Sequence, residues 1–258
     1  MRVLFLGNNW VGWQIAASLK AEGEDIVGAV LHSPGRRQYG EQILSTLALD
    51  RAHIVDGGEL SQSTTLDRIR ALRPEIGVSA LFGYLVPQPV LDLFPAGCLN
   101  IHPALLPYNR GAFPNVWSII DRTPAGATIH YMDAGIDTGD IVAQREVLVE
   151  PVDTGETLYR KLERACVELF HETWPLVRAG TARRCPQPAG HGSQHRVKDA
   201  AAVDEVALDR TYVARDLIDL LRARTFPPHP GAFFRHEGRK VYLRLQLEYG
   251  DTPDAEQS

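Results

Sequence analysis

Along the first third of the chain, apolar and polar positions follow a repeating order of short apolar run, turn and helical period. Arg2 to Leu6 gives way to Gly7-Asn8-Asn9-Trp10-Val11-Gly12, and Trp13 to Lys20 then spaces its apolar residues helically, so the pattern predicts a strand, a tight turn and a helix. Asp25 to His32, rich in Val and Ile and stopped by Ser33-Pro34-Gly35, reads as a second buried strand. Leu66 to Leu72 reads as a helix closed by Pro74, and Ile76 to Phe82 as a strand ended by Gly83. Strands alternating with helices predict an α/β fold with a parallel, doubly wound sheet.

From Val86 onward, prolines at 87, 89, 95, 103, 107 and 114 predict loop-shaped backbone instead of long helices. Short strands are expected at Leu99 to His102, Thr128 to Met132 and Ile141 to Val149. A helix follows from Thr154 to about Val177, with Thr154 and Thr157 as caps. Residues 179 to 204 lack periodicity and read as a linker or covering loop between a large domain (1–185) and a small C-terminal one (205–250). The small domain is expected to hold a helix over Tyr212 to Arg224, then a β-hairpin whose arms, Ala232 to Arg235 and Lys240 to Leu247, flank His236-Glu237-Gly238. The polar tail after Gly250 is expected to fray.

Composition narrows the classes. With 44% hydrophobic and 23% charged residues over 258 positions the chain is ordinary globular protein, and a formal charge of -5 argues against a nucleic-acid partner. Three cysteines, Cys98, Cys166 and Cys185, without CxxC spacing predict neither a disulfide framework nor a zinc knuckle and fit a reducing cytoplasm. The apolar run Val3 to Leu6 is far shorter than a signal-peptide core or a membrane span, so no membrane partner is expected.

The stretch Leu99-Asn100-Ile101-His102-Pro103 carries the chemistry. On a strand, Asn100 and His102 project from one face about 6 to 7 Å apart. The glycine-bounded turn Gly135-Ile136-Asp137-Thr138-Gly139 can bring a carboxylate toward them. An amide donates to an oxyanion, an imidazole moves a proton and a carboxylate orients that imidazole. This combination suits acyl transfer in which the substrate's own amine is the nucleophile. His130 invites a metal reading, but no HExxH motif or carboxylate-histidine cluster accompanies it, so no metal is expected.

Leu99 to Pro107, Asn109-Arg110-Gly111, Gly126 to Ile141 with its HisTyrMetAspAlaGlyIleAspThrGly core, Gln144 and Asp153-Thr154 together resemble the formyltransferases that use 10-formyltetrahydrofolate. The resemblance implies a Rossmann-like catalytic domain with a parallel or mixed sheet and Asn100, His102 and Asp137 as catalytic trio. It implies folate held along Gly83-Tyr84-Leu85 and along the turn of Asp133, Ala134, Gly135 and Ile136.

Within that family, the segment Pro107 to Asp121 and the run Leu221-Arg-Ala-Arg-Thr-Phe-Pro-Pro-His-Pro-Gly231, followed by Gly238 to Tyr242, resemble the sugar N-formyltransferases. Methionyl-tRNA formyltransferase, which needs basic surface, fits less well because acidic residues outnumber basic ones over 199 to 258. The expected acceptor is a nucleotide-diphosphate amino-dideoxyhexose, 4-amino first and 3-amino second, used in lipopolysaccharide or O-antigen biosynthesis by a cytoplasmic homodimer. Alternatives are a methionyl-tRNA formyltransferase-like enzyme and a non-catalytic folate or sugar-nucleotide sensor. Free N–H groups in the turn of Asn8, Asn9 and Trp10 are expected to meet the diphosphate, Arg110 to grip phosphate and Tyr108 to stack on the sugar or base.

Overall fold

A computed structural model describes residues 1–188 and 190–250. The strands are β1 (Arg2–Gly7), β2 (Asp25–Leu31), β3 (Ile54–Asp56), β4 (Ile76–Ala80), β5 (Cys98–His102), β6 (Arg110–Gly111), β7 (Ala125–Tyr131), β8 (Ile141–Val147), β9 (Gln194–His195), β10 (Phe233–His236) and β11 (Arg239–Tyr242). The helices are α1 (Asn9–Ala21), α2 (Gly40–Leu47), α3 (Ser63–Leu72), α4 (Gln88–Leu91), α5 (Pro114–Ile120), α6 (Gly155–Arg178), α7 (Val197–Ala202) and α8 (Ala214–Ala223). The polar tail expected to fray lies outside the described residues.

Seven strands form one sheet in the order β3-β2-β1-β4-β5-β7-β8. The first five run parallel, as the βαβ alternation requires, whereas β7 and β8 run antiparallel, so the sheet is mixed. One face packs under α1 and α6 through Phe5, Ile15, Phe170 and Trp174, and the other under α3 and α4 through Leu6, Ile69 and Val90. Burial on both faces explains why the early strands read as continuous apolar runs.

α6 begins with a reciprocal cap: Thr154 Oγ1 accepts from Thr157 N–H, and Thr157 Oγ1 from Thr154 N–H. Two short helices arise where proline density predicted only loop. In α5 Pro114 occupies the first turn, where a missing N–H costs nothing, and α4 is similarly entered from Pro87. β4 stops at Ala80, two residues before the expected end, because Leu81 turns left-handed with φ +46°.

The stretch expected as a linker carries structure. β9 pairs in parallel with β6, Cys185 bridges to Ile141, and His195 stacks on Trp117 of α5 with centroids 4.0 Å apart. It therefore runs back over the large domain as a covering segment. The C-terminal helix is docked equally firmly: Arg222 donates to the carbonyls of Glu150 and Asp153, and a Cβ on Gly155 would stand 2.1 Å from the Ala223 carbonyl, so only glycine permits the approach. The β10–β11 hairpin turns at Glu237 and Gly238, both at positive φ.

Candidate active site

Sheet register gathers the polar residues. Ser79 on β4 stands beside Asn100 on β5, and Asn100 stands opposite His130 on β7, forming one polar row across three strands. The next row pairs His102 with Thr128, and Thr128 with Gln144 on β8. Directly opposed residues share a face, so Asn100, His102 and His130 project together while Leu99 and Ile101 enter the core beneath α1 and α6.

Each polar group is held. Ser79 Oγ donates to Asn100 Oδ1 at 2.9 Å, which fixes the amide with its nitrogen outward. Asn100 Nδ2 then contacts His130 Nε2 at 3.1 Å and Asp137 Oδ1 at 3.3 Å. His130 Nδ1 lies 2.9 Å from the Tyr131 carbonyl, so the proton of the neutral ring sits there and Nε2 accepts from Asn100. His102 Nε2 lies 3.1 Å from the Asn109 carbonyl and donates to it. That bond leaves His102 Nδ1 with its lone pair, 3.7 Å from Asp137 Oδ2.

Asp137 thus meets Asn100 and His102. The Asn109 carbonyl orients His102, while the carboxylate faces the nitrogen that can take a proton. Burial is the largest single influence on this carboxyl and opposes its ionisation. The attraction of His102 and His130 in their protonated forms, together with the Gly111 N–H, which donates at 2.8 Å, nevertheless holds it well below the usual carboxylate range. Asp137 adopts φ +53°, so its loop must be held against local strain.

The supporting turns are equally determined. Thr128 Oγ1 donates to the Ala104 carbonyl and accepts from Leu106 N–H, fixing the chain just beyond His102. Asn109, fully buried and left-handed at φ +57°, bonds Ser118, Thr123 and Ser193 and so presents its carbonyl to His102. Gly111 has φ +87°, and a Cβ there would meet the His195 carbonyl at 2.3 Å. Ser79, Asn109, Gly111 and His130 were not singled out from sequence as site residues, because only strand register and loop closure bring them to the trio.

The expected folate segments emerge together. Phe82 and Met132, immediately before them, border the same apolar cluster, and Leu85 and Ile136 present exposed apolar side chains at 76% and 39%. One detail is corrected: the Gly83 N–H donates to His32 Nε2 at 3.1 Å and is spent. Tyr84 packs edge-on to His32, and Asp133 accepts from Gly135 N–H and Thr138 Oγ1, closing its own turn.

The expected phosphate contacts are corrected as well. Asn8 N–H bonds the Ala80 carbonyl and Asn9 N–H bonds the Gln38 carbonyl, so these amides are not free for a diphosphate. The Asn8 side chain is also engaged, with His32 and with Gln38 N–H. Arg110 directs Nε and Nη2 onto Gln187 Oε1, at 3.2 and 2.6 Å. Asn9 and Trp10 instead line a cavity of about 550 Å³ with Tyr39, Phe113, Tyr159 and Phe226. Tyr108 is 37% exposed and does not line this cavity.

Comparison with known proteins agrees with this architecture. Residues 1–173 match the family described as formyl transferase, and residues 199–249 match the N-formyltransferase dimerization C-terminal domain. A methionyl-tRNA formyltransferase of Acetivibrio thermocellus is 30% identical, over 93% of this chain and 78% of its own. A 4-N formyltransferase from Francisella tularensis superposes with TM-score 0.80 at 29% identity, covering 96% of this chain and 98% of that one. A formyltransferase from Anoxybacillus kamchatkensis, solved with UDP-4,6-dideoxy-4-formamido-L-AltNAc and tetrahydrofolate, is 30% identical with TM-score 0.58, covering 78% and 89%. The chain belongs to the formyl transferase family and is a folate-dependent N-formyltransferase.

Proposed function

We propose that this enzyme moves the formyl group of 10-formyltetrahydrofolate onto the amine of a nucleotide-diphosphate amino-dideoxyhexose, with the amine at C4 favoured over C3. The aromatic-walled cavity supports this reading. Its volume suits a nucleotide sugar, and its walls offer Trp10, Tyr39, Phe113 and Phe226 for stacking. The Francisella relative is a 4-N formyltransferase, and the Anoxybacillus formyltransferase was solved with a 4-formamido UDP-sugar.

In the proposed reaction the acceptor amine attacks the formyl carbon and a C–N bond forms. Asn100 Nδ2 donates to the oxyanion, exchanging its long 3.3 Å contact to Asp137 for the new charge. His102 Nδ1 takes the amine proton, and the ionised Asp137 stabilises the resulting imidazolium. The proton then passes to the departing folate nitrogen as the C–N bond to the donor breaks. Folate lies along Tyr84, Leu85 and the turn from Asp133 to Ile136.

The C-terminal unit is proposed to pair two copies: residues 199–249 match a dimerization domain, and β11 is exposed along its whole length. Among the described residues no helix is long and apolar enough to cross a membrane, and the three cysteines are free. We place the enzyme in the reducing cytoplasm, supplying formamido sugars to surface-polysaccharide assembly such as O-antigen.

The test is a panel of UDP-, GDP- and dTDP-linked 4-amino and 3-amino sugars with the formyl donor, scored by a mass gain of one formyl group. Transfer to a 4-amino sugar is expected. The curated relative names a second reading, and transfer only to initiator methionyl-tRNA would replace the sugar proposal with it.

A further inference from the structure

Gln187 lies in the segment that sequence pattern leaves featureless, yet both ends of its amide are saturated at the edge of the site. Its Nε2 donates to the carbonyls of Asp137 and Gly139, at 2.8 and 2.9 Å. Its Oε1 accepts both contacts from Arg110. Two donors and two lone pairs are all that a primary amide has, and all four are used.

The two segments joined in this way are the two that clamp the Asp137 carboxylate. One is the left-handed loop that carries Asp137 itself. The other is β6, where Arg110 immediately precedes Gly111, the residue whose N–H donates to Asp137 Oδ2. The covering segment holding Gln187 is itself anchored on both sides, by the Cys185–Ile141 bridge and by Ser193 on Asn109. We infer that Gln187 is a positioning residue: it fixes the separation between the Asp137 loop and the Gly111 N–H, and through it the carboxylate facing His102 Nδ1. This inference rests on the formyl-transfer reading only for its kinetic consequence.

Chemistry sets the requirement. Glutamate keeps the Arg110 pairing but turns an oxygen toward two carbonyl oxygens, and methionine keeps the length while losing all four bonds. Misplacing a reacting group by about 1 Å costs up to about 10²-fold in rate.

Two arms test this. In the ligand-free protein, the Gly111 amide proton is followed by NMR in wild type, Gln187→Met and Gln187→Glu. Loss of its carboxylate-induced downfield shift and of its exchange protection is expected in both variants, and an unchanged signal in both overturns the inference. In formyl transfer, Gln187→Met is expected to lower kcat by about 10- to 100-fold with KM for donor and acceptor within about threefold. On an Asp137→Asn background the same change is expected to add less than about twofold. A kcat within twofold of wild type, or an equal loss on both backgrounds, overturns it. If Gln187→Met fails to fold, Gln187→Glu decides both arms. If no acceptor is formylated even by wild type, the function proposal fails and the ligand-free arm alone decides the clamp.

Discussion

The proposed catalytic corner and the proposed acceptor cavity are built on different principles. At the corner, Asn100, His102, His130 and Asp137 are tied by hydrogen bonds to strand neighbours and loop carbonyls, and each has little alternative geometry. The cavity mixes aromatic side chains from separate elements, Trp10 on α1, Phe113 before α5 and Phe226 after α8, with polar ones such as Asn9, which donates to the Tyr159 hydroxyl, and Arg160, which pairs with Glu163. Proton chemistry tolerates only one arrangement, whereas an acceptor wall works through shape and stacking and can change residue by residue.

Substitution at the corner breaks this contrast most severely. His102→Ala and Asp137→Ala are each expected to lower kcat by about 10³-fold, within the range for positioned acid–base groups, while the melting temperature of His102→Ala falls by no more than about 5 °C. Steady-state kinetics beside a thermal melt checks this, and near-native turnover in either variant refutes the assignment. Asn100→Ala should cost about 10²-fold in kcat through loss of the oxyanion donor, with donor KM little changed.

Trp10→Ala and Phe113→Ala sharpen the contrast from the other side. Each is expected to raise acceptor KM about tenfold, equivalent to about 1.4 kcal/mol of lost contact, while folate KM stays constant. An equal rise in folate KM would place these residues in the wrong subsite.

Acid stability follows from the depressed Asp137 titration. Its ionised form stabilises the fold above the unfolded value of about 3.9, and that contribution is lost as pH falls through this value toward the lower folded one. Asp137→Asn should therefore show a flatter stability curve below about pH 5 in denaturant titrations. The smallest effect concerns thiols. Burial pushes Cys98 up to about 12 and raises Cys166 as well, whereas Cys185 is exposed, so a thiol reagent at about pH 8 should label only Cys185 in native protein.

How much was legible in sequence follows the same division. Strands β1, β2 and β4 were readable because burial on both faces makes them continuous apolar runs, and the α6 cap because its two threonines are local. The convergence of Asn100, His102 and Asp137 was legible from strand alternation, a glycine-bounded turn and family resemblance. The contact of His130 with Asn100 is not legible in sequence, since its place depends on an antiparallel register that no local pattern encodes. The Arg110 contact with Gln187 is not legible in sequence, because the two lie 77 positions apart and Gln187 sits in an aperiodic stretch. The free amides expected at Asn8 and Asn9 were lost to carbonyls of Ala80 and Gln38, contacts that exist only after folding.

The docking of α8 against the start of α6 has an evolutionary consequence. Ala223, Phe226 and His229 form one side of the proposed acceptor cavity, yet none of them belongs to the proposed proton-transfer corner. A crossover between α7 and α8 would import a foreign side wall while leaving the Asn, His and Asp constellation intact. Lineages could diversify what they formylate by trading tails, and chimeras joined in that interval should display the acceptor preference of the tail donor.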